Sequence, residues 1–87
     1  MEIILCNKCC GQGYQKCINI IKLLKDKKID VSLNKGHPSK FKDKLISLKA
    51  DYNAILKDKK PRIIIKDKIY TELELTDVVI QDIIKSA

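Results

Sequence analysis

The chain has 87 residues, 45% of them hydrophobic, with no Trp and one Phe, which suits one domain around a single aliphatic core. No apolar run approaches the roughly 20 residues that cross a bilayer, and no charged-then-apolar leader opens the chain, so a membrane partner is not expected and a cytoplasmic location is. Lys plus Arg outnumber Asp plus Glu by 18 to 11, a formal charge of +7; with Arg62 the only arginine and no aromatics interleaved with the lysines, a solvated basic surface is expected rather than a nucleic-acid interface.

Residues 2–6 are almost wholly apolar, the pattern of a buried central strand. All four cysteines follow within Cys6-Asn7-Lys8-Cys9-Cys10-Gly11-Gln12-Gly13-Tyr14-Gln15-Lys16-Cys17, a stretch that reads as the loop into the first helix. Tyr14, Cys17, Ile18, Ile21 and Leu24 then recur at helical intervals, predicting a helix from about Gly13 to Lys28. Ile29-Asp30-Val31-Ser32-Leu33 alternates as a strand does, and Asn34-Lys35-Gly36-His37-Pro38 has turn chemistry. Phe41, Leu45, Leu48, Tyr52 and Ile55 predict one helix from Ser39, its expected N-cap, to Leu56. Asp58-Lys59-Lys60-Pro61 breaks it. Arg62-Ile63-Ile64-Ile65-Lys66 and Ile69-Tyr70-Thr71-Glu72-Leu73-Glu74-Leu75, divided by Asp67-Lys68, read as a hairpin with Pro61 at its start. Thr76 is the expected cap of a last helix, Asp77 to Lys85, with Val78, Val79, Ile83 and Ile84 as its apolar face. The expected order is β-α-β-α-β-β-α in one domain.

Clustered cysteines close only short loops, so they contribute less as a structural scaffold than as a redox or metal site. A thiol just beyond a strand and ahead of a helix N-terminus is biased toward thiolate, the form that attacks disulfides or binds metals. Lys8, between two thiols, adds a positive charge that favours the same form. Cys10 has no assigned part in a dithiol scheme, and Cys17, on the apolar helix face, reads equally as core packing. Gly11 and Gly13 suit a tight turn. His37 reads as a turn residue far along the chain from the thiols.

With cysteines after the first strand and a proline before the third, this order resembles the minimal thioredoxin fold of glutaredoxins and small thioredoxins. The resemblance implies an α/β four-stranded mixed sheet with helices on both faces, and a small thiol–disulfide oxidoreductase. Cys6-x-x-Cys9 has the family's dithiol spacing, which implies Cys6 as nucleophile and Cys9 as resolving thiol. It further implies a cis bond before Pro61, with Pro61 and Tyr14 at the substrate, no cofactor, a monomer, and a disulfide-bearing protein or small thiol as partner.

Two further resemblances compete. The segment from Pro61 through Tyr70 to Thr76-Asp77 looks like the end of thioredoxin-like [2Fe-2S] ferredoxins, which implies a metal or cluster site drawn from Cys6, Cys9, Cys10 and Cys17; the cysteines that family carries before its proline-led strand are missing from Asn53 to Lys60. Cys10-Gly11-Gln12-Gly13 is similar to the phosphate-cradling loop of phosphocysteine sugar-transport subunits, although the chain has no room for that fold's extra helix. From a different class, a non-catalytic adaptor would keep the fold and bind through its lysines.

Overall fold

The computed structural model describes residues 1–8, 11, 13–58 and 60–86. Four strands form one mixed sheet: β1 (Glu2–Cys6), β2 (Ser32–Gly36), β3 (Arg62–Ile65) and β4 (Lys68–Tyr70), in the order β2-β1-β3-β4. β1 runs parallel to β2, with Cys6 opposite Gly36, and antiparallel to β3, with Cys6 opposite Arg62. β3 and β4 make the expected hairpin, turning through Lys66 and Asp67 at φ 50° and 62°. Two successive left-handed residues are what a two-residue hairpin turn of matching twist requires.

Side chains alternate across β1, and two cores follow from that alternation. Ile3 and Leu5 face Cys17, Ile20, Ile21 and Leu24 of α1 (Tyr14–Asp26) together with Ile80, Ile83 and Ile84 of α4 (Asp77–Lys85). Ile4 and Cys6 face Phe41, Leu45 and Ile55 on the other side, contributed by a 3-10 turn (Pro38–Phe41), α2 (Lys42–Ser47) and α3 (Tyr52–Lys57). Helices therefore cover both faces.

Several boundaries differ from expectation. The helix expected over 39–56 is two helices, because β2 ends and β3 begins at the same end of β1, beside Cys6. An 18-residue helix would span about 27 Å and deliver the chain to the far end. Lys49, at φ 62°, turns it back, and the Ala50 N–H closes the end of α2 by donating to the Leu45 carbonyl at 3.0 Å. The cap expected at Ser39 is His37, whose Nδ1 accepts from the Ser39 N–H at 3.1 Å.

The second strand begins only at Ser32, since Ile29 completes the end of α1 by donating to the Leu24 carbonyl and the Asp30 carbonyl accepts from the Met1 amino group. β4 stops at Tyr70 because Glu74 folds back, its Oε1 accepting from the Thr71 N–H at 2.8 Å, and this turn drives Leu75 into the core. On α4 the buried face is Ile80, Ile83 and Ile84, with Val79 beside them; Val78, expected among them, is 71% exposed. Thr76 caps α4 as expected.

Candidate functional site

The chain leaves β1 at Cys6, and the Asn7 N–H extends the pairing with β2 by donating to the Gly36 carbonyl at 2.9 Å. It enters α1 through Gly11 and Gly13, at φ 78° and 80°. The Tyr14 N–H donates to the Gly11 carbonyl at 3.1 Å, closing the turn that starts the helix. Gly13 is held by space as well as by backbone angle: a β-carbon there would stand 3.1 Å from Leu5 Cδ1 and 3.2 Å from Pro61 Cγ. Pro61, buried at the entrance to β3, thus packs directly on the amino end of α1. The start of α1 at Gly13 and the proline-led strand therefore meet at the end of the sheet where β1 finishes. The cis bond expected at Pro61 is not found; every peptide bond among the described residues is trans, Lys60–Pro61 included. Its ring seats against Gly13 and Leu5 with that bond trans.

The described thiols are not activated. Cys6, expected as the nucleophile, is 1% exposed among Ile4, Phe41, Leu45, Ile55 and Ile64. Burial pushes its pKa up to about 11, the nearby Arg62 charge opposing this only in part. At neutral pH that leaves on the order of one thiolate in ten thousand. Cys17 is also pushed up to about 11, by burial and then by the negative charge of Glu72. Cys9, expected to resolve, and Cys10 lie outside the described residues, as does Gln12 of the glycine-containing stretch.

A metal or cluster held by Cys6, Cys9, Cys10 and Cys17 together does not fit. Cys6 packs with α2 and α3 and Cys17 with α1 and α4, on opposite faces of the sheet. Among the described residues, no three His, Cys, Asp or Glu side chains gather as ligands.

Around the loop, the remaining residues divide into two sides. Toward β2, Tyr14 is 38% exposed and carries the Lys35 ammonium 4.8 Å from its ring centre. Such a contact orients both side chains at the rim. Toward β3, Pro61 lines a cavity of about 230 Å³ with Lys60, Thr71, Glu72 and Leu73, and Leu73 is 82% exposed. Arg62 is anchored there, donating to Asp58 Oδ2 at 2.9 Å and to the Lys60 carbonyl at 3.0 Å. The Arg62 bond to Asp58, and then the Lys60 N–H donating to Asp58 Oδ1 at 2.9 Å, hold the Asp58 carboxyl below its usual range. Arg62, Glu72 and Lys35 were not singled out by sequence spacing. Each approaches the loop through strand register or a turn, neither of which leaves a local signal.

No protein family, curated protein or solved structure matches the chain. The function therefore has to be read from the site itself.

Proposed function

We propose that this is a small thiol–disulfide exchange protein of thioredoxin-like architecture, with the Cys6–Cys9 pair used in the reverse order. The observation that carries the reading is the packing of Pro61 on Gly13. It sets the proline-led strand against Gly13, at the end of the cysteine-containing stretch, with a cavity on the other side of Pro61 lined by Lys60, Thr71, Glu72 and Leu73. The sheet order, with a parallel pair followed by an antiparallel hairpin, supports the same architecture.

The burial of Cys6 supports this order of roles. A thiol with its pKa near 11 is a poor attacking group, but it serves as a resolving one, since that step is intramolecular. Cys9, in the stretch ahead of α1, attacks a substrate disulfide as thiolate. One substrate sulfur leaves as a thiolate and takes up a proton. Cys6 then gives up its proton and attacks Cys9 Sγ, releasing the second substrate sulfur, which is protonated in turn. The substrate gains two electrons and two protons, the protein keeps a Cys6–Cys9 bridge, and a dithiol donor must reduce that bridge for further turnover. The cavity beside Pro61 and the exposed Leu73 offer an apolar seat for a residue flanking the substrate disulfide.

A single-turnover assay with a protein disulfide tests this order. Cys9→Ser abolishes the reaction, whereas Cys6→Ser accumulates a mixed disulfide on Cys9. Exchange by Cys9→Ser at the wild-type rate would refute the assignment.

The burial of both described thiols favours a second reading, that of a non-catalytic adaptor in which the cysteines pack. It expects the Cys6→Ala/Cys9→Ser variant to keep full function in cells. It also expects no thiolate absorbance to develop below pH 8.

A further inference from the structure

We infer that the open edge of β2 is a docking strand for an extended acidic segment of a partner protein. β2 ends the sheet, with β1 on one side and nothing among the described residues on the other. The Ser32 N–H donates to the Met1 carbonyl, and the Gly36 carbonyl accepts from Asn7. Main-chain groups alternate in direction along a strand, so Leu33 and Lys35 turn theirs to the open edge.

Side chains make that edge cationic at the end nearest the cysteine loop. Lys35 stands on the α1 face against Tyr14, while Lys40 crosses the other face, its Nζ 3.2 Å from Asn34 Oδ1. A β-carbon on Gly36 would lie 2.8 Å from Lys40 Cδ, so the glycine leaves the path that the lysine stem follows. Lys8 is exposed where the chain leaves β1. Among the described residues the ion pairs are Lys44–Asp67 and Arg62–Asp58, so Lys8, Lys35 and Lys40 have no carboxylate partner. Asp30 lies beyond the other end of the strand.

An added strand places successive side chains on alternate faces, so two adjacent carboxylates reach Lys35 and Lys40 together while its amides pair with Leu33 and Lys35. A second copy of this chain is a poor occupant, because it brings Lys35 and a formal charge of +7 against the same groups. The docking surface does not rest on the thiol reading, since it uses no cysteine.

The test is titration of the intact protein with a synthetic peptide carrying two adjacent glutamates within a Thr- and Val-rich run, followed by amide NMR and hydrogen exchange. Binding is expected to weaken as salt is raised, to slow exchange at Leu33 and Lys35, and to fall by about tenfold or more in Lys35→Glu/Lys40→Glu. N-methylation of the peptide's edge-facing amides is expected to abolish binding, and methylation of the alternate amides to leave it. Binding that survives both changes would overturn the proposal, as would its absence or tighter binding of a single-stranded oligonucleotide to the same lysines. In those cases the lysines merely guard an exposed edge.

Discussion

Lys28 and Lys49 follow α1 and α2 at φ 62°, a left-handed conformation that glycine adopts without strain and lysine does not. Their N–H groups donate to the Lys25 and Ile46 carbonyls at 2.8 and 2.9 Å, so each helix stop rests on a strained residue. Replacing either with glycine is expected to stabilise the fold by about 0.5–1 kcal/mol, read as a raised urea midpoint at unchanged slope. Gly13→Ala acts in the opposite sense: positive φ combines with close approach to Leu5 and Pro61, and a loss of about 2 kcal/mol is expected from the same measurement. The buried thiols set a pH window. Cys6 and Cys17 have folded pKa values near 11 against a free value of 9.0, so the unfolded chain loses its protons first as pH rises. Stability from this source is intact below pH 9 and declines between about 9 and 11, by up to about 1.4 kcal/mol per pH unit for each thiol. Cys17→Ala is expected to flatten that decline in denaturant titrations run across the window, although it lowers stability at neutral pH.

Helix ends show which elements were legible in the chain and which were not. Thr76 announces α4 because a hydroxyl before an acidic first turn is a local signal, and its Oγ1 does accept from the Val79 N–H at 3.4 Å. Thr76→Ala is expected to lower stability by about 1 kcal/mol. The stop after α2 has no such signal. Lysine stands where glycine would have marked it, and apolar spacing continues through Leu48 and Tyr52. What breaks the helix there is the return of the chain to the end of the sheet where β2 finished, a constraint that only the assembled sheet imposes. Asp51 then restarts the chain, accepting from the Ala54 N–H at 3.1 Å, and it was read as part of the helix that it interrupts. The Lys44–Asp67 pair ties α2 to the hairpin turn at 2.6 Å, but Asp67 is largely exposed and Lys44 partly so. Lys44→Gln is therefore expected to shift the thermal midpoint only slightly, the pair being worth less than about 1 kcal/mol.

At the scale of the molecule, the local features legible in the sequence are brought together only in part. A cluster of cysteines after an apolar strand and a proline before another are local features, and the sheet sets that proline, Pro61, against Gly13 at the start of α1. Whether a given thiol points to solvent depends on strand parity. Cys6 is two residues from Ile4 and shares its face, which α2 and α3 then close. That cover could not be anticipated while those helices were expected as one.

The far end of the sheet has a different use. Met1 precedes β1 there, and Lys66, in the hairpin turn, binds the Ser86 carbonyl and Oγ, so Met1 and Ser86 both lie at the end of the sheet opposite Cys6. A tether on either terminus would hold the domain with the opposite end, where β1 finishes and α1 starts, turned outward, leaving room for a large protein to approach. Linking the two ends and reopening the chain between α2 and α3 is a practical way to check that geometry, since neither cut nor join touches that end.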